Sequence, residues 1–284
     1  MAGKADLHIH TTYSDGKISP FEVLNLAVDK GLKAISITDH DTIKGYLKAE
    51  EILESEQLPI ELISGAEFTA SFKNKDIHLL GYFFDPYHKE LSEYLTACSV
   101  QRRRRMKSMI DWLNKKNIEI NFQEVQAISK HATLARPHLA RLLVEKNYVS
   151  NHIEAFQRYL VDAHEETRQP YFLDANTLIT LVRSAGGAVI LAHPGKLFTQ
   201  QELEEIRILG LDGVECIHPS HSYQQHNHFV KWSQKHHLLQ TGGSDYHGHP
   251  EYGYTPIGTV ATSYNNVIKM KAMTTQRKAL IPNN

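Results

Sequence analysis

From Lys4 to about Pro86, and again from Asp174 onward, short β-like runs alternate with helical ones. That alternation restricts the chain to parallel β-α units, in an open sheet or a barrel. Lys4–His10 alternates polar and apolar residues as a strand does. Ser19-Pro20 is a helix start, followed by the apolar stripe Phe21, Val23, Leu24, Ala27 and Val28 and stopped by Gly31. Ala34–Thr38 reads as a buried strand, with Asp41 or Thr42 as cap of the next helix, and Glu61–Thr69 and Ile77–Phe84 are further strands. After Gly186-Gly187 the strands Ala188–Ala192, Gly213–Ile217 and Leu238–Thr241 alternate with helices at Gln201–Leu209 and Tyr223–Lys235.

Between Lys89 and Gln169 the β signal vanishes. Helices are expected there near Leu91–Lys116, Phe122–Lys130, Pro137–Lys146 and Ile153–Leu160, so the block reads as an insertion into the α/β scaffold. The expected organisation is a body of residues 1–88 and 170–284 with a helical subdomain at 89–169.

A chain of 284 residues with 41% apolar residues carries enough material for a core, which excludes disorder as its dominant state. Its formal charge of −1 argues against coating nucleic acid or anionic membrane. No apolar run reaches the roughly 20 residues of a membrane span. Cys98 and Cys216 cannot build a disulfide scaffold, and both read as small buried apolar residues. Patterning begins at Asp6, which leaves no room for a signal peptide, so a cytoplasmic setting is expected, with no membrane and no obligate protein partner.

Eighteen histidines, about one residue in sixteen, are the unusual number. His8 and His10 lie two apart on a strand, so their rings share one face. Asp15, His40, Glu67, His193, Asp245 and His247 follow strand ends, the rim where α/β folds build their sites, and His78 lies early in a strand. Histidine with carboxylate is a donor mix for zinc, manganese or iron. Six histidines and three carboxylates exceed what one ion uses, so two or three divalent ions (Mn2+, Fe2+ or Zn2+) are expected.

In Asp6-Leu7-His8-Ile9-His10-Thr11, Ser14-Asp15-Gly16, Thr38-Asp39-His40-Asp41-Thr42, Gly65-Ala66-Glu67, His78-Leu79-Leu80-Gly81-Tyr82, Ala192-His193-Pro194 and Gly243-Ser244-Asp245-Tyr246-His247-Gly248 the chain resembles the PHP (polymerase and histidinol phosphatase) phosphoesterases. The resemblance implies a distorted (β/α)7 barrel with a trinuclear metal centre in its mouth. It also implies a first ion on His8, His10, Glu67 and Asp245, a second sharing Glu67 with His78 and His193, and a third on Asp15, His40 and His247. Ala135-Arg136-Pro137-His138 and Gly213–His221 are similar to stand-alone 3′,5′-nucleoside bisphosphate phosphatases, some of which trim short RNA from the 5′ end. Where such proteins usually have a glycine-containing loop before a Pro-aromatic pair, this chain has Asp162–Tyr171, without glycine.

The expected activity is hydrolysis of a phosphomonoester of a small nucleotide by a hydroxide bridging two ions, since metal ions acidify bound water and neutralise phosphate oxygens. Glu67, His193 and Asp245 belong to that catalytic centre, and Asp39, beside His40, is expected to orient a ligand imidazole. Arg136 and His138 are expected to hold substrate phosphate, with Lys196, His218 and His221 as further substrate contacts. Histidinol-phosphate hydrolysis and a non-catalytic, metal-binding regulatory module are the alternatives. The Arg102–Arg105 run is expected to be a solvated helix, and His226, His228, His236, His237 and His249 are expected at the surface.

Overall fold

The computed structural model describes residues 3–130, 132–168, 172–248 and 255–280. Its strands are β1 (Lys4–Ile9), β2 (Ala34–Ile37), β3 (Glu61–Ile63), β4 (Gly65–Phe72), β5 (Lys75–Tyr82), β6 (Ala188–Leu191), β7 (Gly213–Ile217), β8 (Leu239–Gly242) and β9 (Thr262–Ser263). The helices of the α/β part are α1 (Pro20–Asp29), α2 (Lys44–Glu56), α8 (Ala175–Ser184), α9 (Gln200–Ile208), α10 (Tyr223–Lys235) and α11 (Tyr264–Leu280). Between β5 and α8 run α3 (Lys89–Lys115), α4 (Phe122–Ser129), α5 (Arg136–Glu145), α6 (His152–Ala155), a π-helical turn at Phe156–Leu160, and α7 (Val161–Glu166).

Local chemistry explains the starts and stops. Ser19 caps α1 in a capping box with Glu22, and Asp174 caps α8 through the Thr177 N–H. Asp41 does not cap α2. Thr42 Oγ1 accepts from the Lys44 N–H at 3.3 Å, while both Asp41 oxygens turn to Thr69 and Arg102.

The hydrogen bonds build two sheets, ordered β3-β2-β1-β9 and β4-β5-β6-β7-β8, and close no seven-stranded barrel. β3 pairs with β2 over Ala34–Ser36 and β9 with β1 at Lys4 and Ala5, so the lower halves of those edges are already taken. Above them, isolated bridges join His40 to Glu67 of β4 and Ile9 to Tyr246 of the segment that follows β8. The run expected as one strand at Glu61–Thr69 is split at Ser64, whose two halves enter different sheets. Gly65 permits the crossing, because a Cβ there would stand 2.0 Å from Ser36 Oγ.

Apolar side chains fill both faces of the sheets. Phe68, Leu79, Leu191 and Val214 pack under α8 and α10, while Ile9, Ile35 and Ile37 pack against α1 and α2. The helices α3 to α7 bury an apolar cluster of their own, with Met109, Leu113, Leu139, Leu143 and Leu160 at its centre. Cys98 and Cys216 are buried, and burial pushes both thiols up to about 12. No helix among the described residues is long and apolar enough to cross a membrane.

Candidate metal centre

These two bridges lie beside a cluster of buried histidines and carboxylates. Glu67 enters on β4 and is buried, with five imidazoles around its carboxylate. Its Oε1 lies 2.7 Å from His78 Nδ1 and 2.8 Å from His193 Nε2. Its Oε2 lies 3.0 Å from His40 Nδ1, 3.3 Å from His10 Nε2 and 3.5 Å from His8 Nε2. Asp245 Oδ1 lies 3.4 and 3.3 Å from the same nitrogens of His8 and His10. Burial works against ionised carboxyls, yet His78, His40 and His8 outweigh it and hold Glu67 well below the carboxylate range. Burial disfavours charge on His10, yet Asp245 and Glu67 raise it to about 10, so the centre attracts positive charge strongly.

Ring partners indicate which nitrogen His8, His10 and His247 present. His8 Nδ1 donates to Glu215 Oε1 at 3.0 Å, which leaves the Nε2 lone pair for the cluster. His10 Nδ1 faces Ser14 Oγ at 3.4 Å, and that hydroxyl donates to Asp39 Oδ1 at 2.6 Å, so His10 also presents a bare Nε2. His247 donates Nδ1–H to the Asp245 carbonyl at 2.8 Å and turns Nε2 toward Asp15 Oδ1. His8 Nε2, His10 Nε2 and His40 Nδ1 are buried without a hydrogen bond, and burial pushes His40 down to about 4. Buried acceptors of this kind, converging with carboxylates, fit divalent cations.

Ligand atoms of His10, Asp15, His40 and His247 lie within 4.8 Å of one another. So do those of His8, His10 and Asp245, of His8, Glu67 and His193, of His40, Glu67 and His78, and of His8, Glu215 and His218. All nine residues expected as ligands thus meet in one cluster, although Glu67 shares His78 and His193 between different neighbours. Glu215 was not singled out in the sequence. It lies inside β7, where a lone acid in an apolar strand carries no signal of type or spacing, and its second oxygen accepts from the His193 N–H at 2.8 Å.

Backbone geometry supports the arrangement. A Cβ on Gly243 would lie 2.4 Å from the His8 nitrogen, so only glycine lets the end of β8 approach β1 here. Asp41, His193 and Asp245 adopt left-handed backbone, at φ of 48°, 25° and 48°, a conformation that concentrates at functional sites.

The oxygens of Asp39 accept from the Thr11 N–H, Thr11 Oγ1 and Ser14 Oγ, so it fixes the Thr11–Ser14 turn and through Ser14 the ring of His10.

A cavity of about 340 Å3 opens above the cluster, within the range of small-ligand sites. Asp15, His40, His78, His193 and His247 form one wall, and Arg102, Arg105, Arg136, Met106, Phe156 and His164 form the other. Arg136 stacks on Phe156 at 5.6 Å and makes no ion pair within 4.0 Å among the described residues. The Arg102–Arg105 run, expected to be solvated, is so only in part. Three residues apart on α3, Arg102 and Arg105 point inward to Asp41 and Asp76, and only Arg103 and Arg104 face solvent.

The remaining expected substrate contacts scatter. His138 is buried away from this cavity, its Nδ1 accepting from the Ala135 N–H at 3.1 Å. His221 spends both ring nitrogens on backbone: Nδ1 donates to the Cys216 carbonyl, and Nε2 accepts from the Gly195 N–H. Lys196 is exposed in a separate groove beside His193. His218 does reach the cluster. Its Nδ1 accepts from the Ser220 N–H at 3.1 Å, so a neutral ring carries its proton on Nε2, 3.3 Å from Asp245 Oδ2. It presents a donor where His8 and His10 present acceptors.

Among the histidines expected at the surface, His228 and His237 are exposed. His226 and His236 are half-buried, bonded to the Cys216 carbonyl and paired with Glu204. His249, and Gln169-Pro170-Tyr171 of the divergent segment with the expected boundary at 169–170, lie outside the described residues.

The model of the PHP domain family matches residues 6–209. A 5′-3′ exoribonuclease of Haemophilus influenzae is 32% identical over 253 residues, covering 87% of this chain and 91% of that protein. A 3′,5′-nucleoside bisphosphate phosphatase of Chromobacterium violaceum is 27% identical over 254 residues, covering 87% and 88%. A solved structure from Bifidobacterium adolescentis, assigned as a metal-dependent phosphoesterase, superposes with a TM-score of 0.82 at 29% identity, covering 95% of this chain and 96% of that one.

Proposed function

The chain belongs to the PHP domain family, a family of metal-dependent phosphoesterases, and from that premise we propose that it hydrolyses a phosphomonoester of a small nucleotide, such as a 3′,5′-nucleoside bisphosphate. Removal of nucleotides from the 5′ end of short RNA is part of the same reading, supported by the name of the Haemophilus relative. The observation that carries it is the pairing of the Glu67 hub with a cavity that also holds Arg136, which makes no ion pair among the described residues. We assign residues 1–88 and 170–284 to the catalytic body, 89–169 to the substrate-facing insertion, and the cytoplasm as its setting.

His8, His10, Asp15, His40, Glu67, His78, His193, Asp245 and His247 are the residues we assign to two or three divalent ions. When bound, such ions supply an acidified water and neutralise the non-bridging oxygens of a phosphate under in-line attack. With the ring nitrogens deprotonated as ligands, two divalent ions would balance the four carboxylates Asp15, Glu67, Glu215 and Asp245, and a third would leave the centre positive toward a phosphate dianion.

The protein's own groups handle the rest. Glu215 holds His8, and the Asp39–Ser14 pair holds His10, in the tautomers that present Nε2. His218 aims an N–H beside Asp245, placed to donate to a phosphate or leaving-group oxygen. Arg136, pre-set on Phe156, offers bidentate contacts to a phosphate across the cavity. Met106 and Phe156 supply apolar surface for a base or ribose.

A phosphate-release screen across 3′,5′-bisphosphates, mononucleotides, histidinol phosphate and 5′-phosphorylated short RNA, run with manganese, iron and zinc, tests the reading. Elemental analysis of the same samples counts the ions. Fastest turnover is expected on substrates with two phosphate groups. Preference for histidinol phosphate, or release from none of these by metal-loaded protein, would overturn it.

A further inference from the structure

We propose that Arg102 is a positioning residue for the metal centre, locking the seam between the two sheets where His40 and Glu67 stand. The inference rests on the metal-centre reading and adds to it a second role for the helical insertion.

The seam is held by few bonds. The Glu67 N–H donates to the Thr38 carbonyl at 3.2 Å, and the Asp41 N–H donates to the Glu67 carbonyl at 2.9 Å. Asp41 then completes the join with its side chain. Its Oδ1 accepts from the Thr69 N–H at 2.7 Å, and its Oδ2 accepts from Thr69 Oγ1 at 2.9 Å. Asp41 directly follows His40, and Thr69 lies two residues beyond Glu67 on β4, so this one carboxylate spans the chain segments bearing both ligands.

Arg102 closes the assembly from outside it. Its Nε donates to Asp41 Oδ2 at 2.7 Å, one terminal nitrogen donates to Thr69 Oγ1 at 3.0 Å, and the other donates to the Leu134 carbonyl at 3.0 Å. Each of the three guanidinium nitrogens is committed to protein. Arg102 therefore serves as the counter-charge that lets a buried carboxylate hold the seam, and substrate contact falls to its neighbours. A buried carboxylate deprived of its partner is poorly tolerated, and Asp41 would relax by turning away from Thr69. His40 and Glu67 would then lose their mutual register. One turn along α3, Arg105 faces the cavity wall, so the same helix turn touches both the seam and the substrate side.

The test is Mn2+ retention by the loaded full chain against a graded chelator, for wild type, Arg102→Met, Arg102→Lys and Asp41→Asn. Circular dichroism monitors folding, and kcat and KM are measured separately at saturating Mn2+. Groups that orient metal ligands typically cost about 10- to 100-fold in metal affinity when removed, and that loss is expected for Arg102→Met. Arg102→Lys should recover part of it, since an ammonium reaches Asp41 but cannot serve all three acceptors. KM at saturating Mn2+ should stay near wild type. A folded Arg102→Met protein that keeps its Mn2+ overturns the inference, and a rise in KM alone makes Arg102 a substrate residue. Should Arg102→Met fail to fold, Asp41→Asn decides: it keeps the bond from the Thr69 N–H and removes the charge, and wild-type retention there overturns the inference equally. Wild-type protein that binds no Mn2+ overturns the metal-centre reading, and this inference with it.

Discussion

Glu215→Gln tests how the centre selects a tautomer, because it changes neither the shape nor the packing of β7. Glu215 has two duties: it accepts from His8 Nδ1 at 3.0 Å and from the His193 backbone N–H at 2.8 Å. A carboxylate fulfils both with two acceptor oxygens. A glutamine has one acceptor and one donor end, so either orientation fails one partner. If the amide oxygen faces His8, the NH2 group meets the His193 N–H, donor against donor, and a buried N–H is left unsatisfied. If the amide flips, its NH2 donates to His8 Nδ1 and forces the ring proton onto Nε2, the nitrogen aimed at Glu67 and Asp245.

Leaving a buried donor unsatisfied costs about 1–3 kcal/mol, which is roughly 5- to 150-fold in an equilibrium constant. Metal affinity should fall by that factor, with kcat/KM at limiting metal falling in step. Chelator titration of the loaded protein measures the first, and initial rates on the best phosphomonoester measure the second. Excess metal should restore most of the rate, because no ligand has been removed. Wild-type retention and wild-type kcat/KM in a folded Glu215→Gln protein would refute the tautomer argument, since the clash has no other relief inside a buried strand.

Glu67→Ala should be more damaging than His78→Ala, because one carboxylate approaches five rings and His78 approaches the cluster from one side; equal metal counts in the two variants would contradict the hub. Arg136→Ala should lower kcat/KM on a bisphosphate by roughly ten- to a hundred-fold, from about 1.5–3 kcal/mol for a charge-assisted contact, and should lower turnover of a small aryl phosphate less. Equal losses on both would place Arg136 on the reacting phosphate. Burial, with Arg105 and Arg136 beside it, pushes His164 down to about 4, below the usual 6.5, so the unfolded chain takes up this proton first. Its stabilising effect is full above pH 6.5 and is lost as pH falls toward 4, with a ceiling of about 3 kcal/mol at about 1.4 kcal/mol per pH unit. Chemical unfolding of His164→Gln should show a shallower loss of stability than wild type between pH 6.5 and 4.5, and identical slopes would count against it.

Much of the centre was legible because its residues obey position rules. A period of two put His8 and His10 on one face, and strand ends announced His40, His193 and Asp245, whereas Glu67, also expected after a strand, lies within β4. The split at Ser64 was not legible. Nothing local in Glu61–Thr69 tells a strand to change sheets, and the decision comes from the close approach of Gly65 to Ser36 in a distant strand. Arg102 and Arg105 were partly legible, since a spacing of three places them on one helix face, but their partners Asp41 and Asp76 lie far away in sequence. Asp41 misled for a related reason: an aspartate before a helix has the composition of a cap, and only Arg102 and Thr69 reveal the stronger claim on it.

The residues that sequence reasoning misplaced share one trait. His138, His221 and Asp41 sit within the recognisable motifs, yet each commits polar atoms to protein. A motif records which residue types gather near a site and is silent on which way their lone pairs and protons point. Those directions follow from partners. His8 faces an acid and therefore offers a lone pair, whereas His218 faces a backbone N–H and therefore offers a proton. Two histidines with ring centroids 5.8 Å apart thus take opposite roles, and the difference is set by Glu215 and Ser220. Exchanging those partners, not the histidines, should exchange the roles: Glu215→Gln moves His8 toward donating, and no change at the metal ligands themselves is needed for the centre to fail.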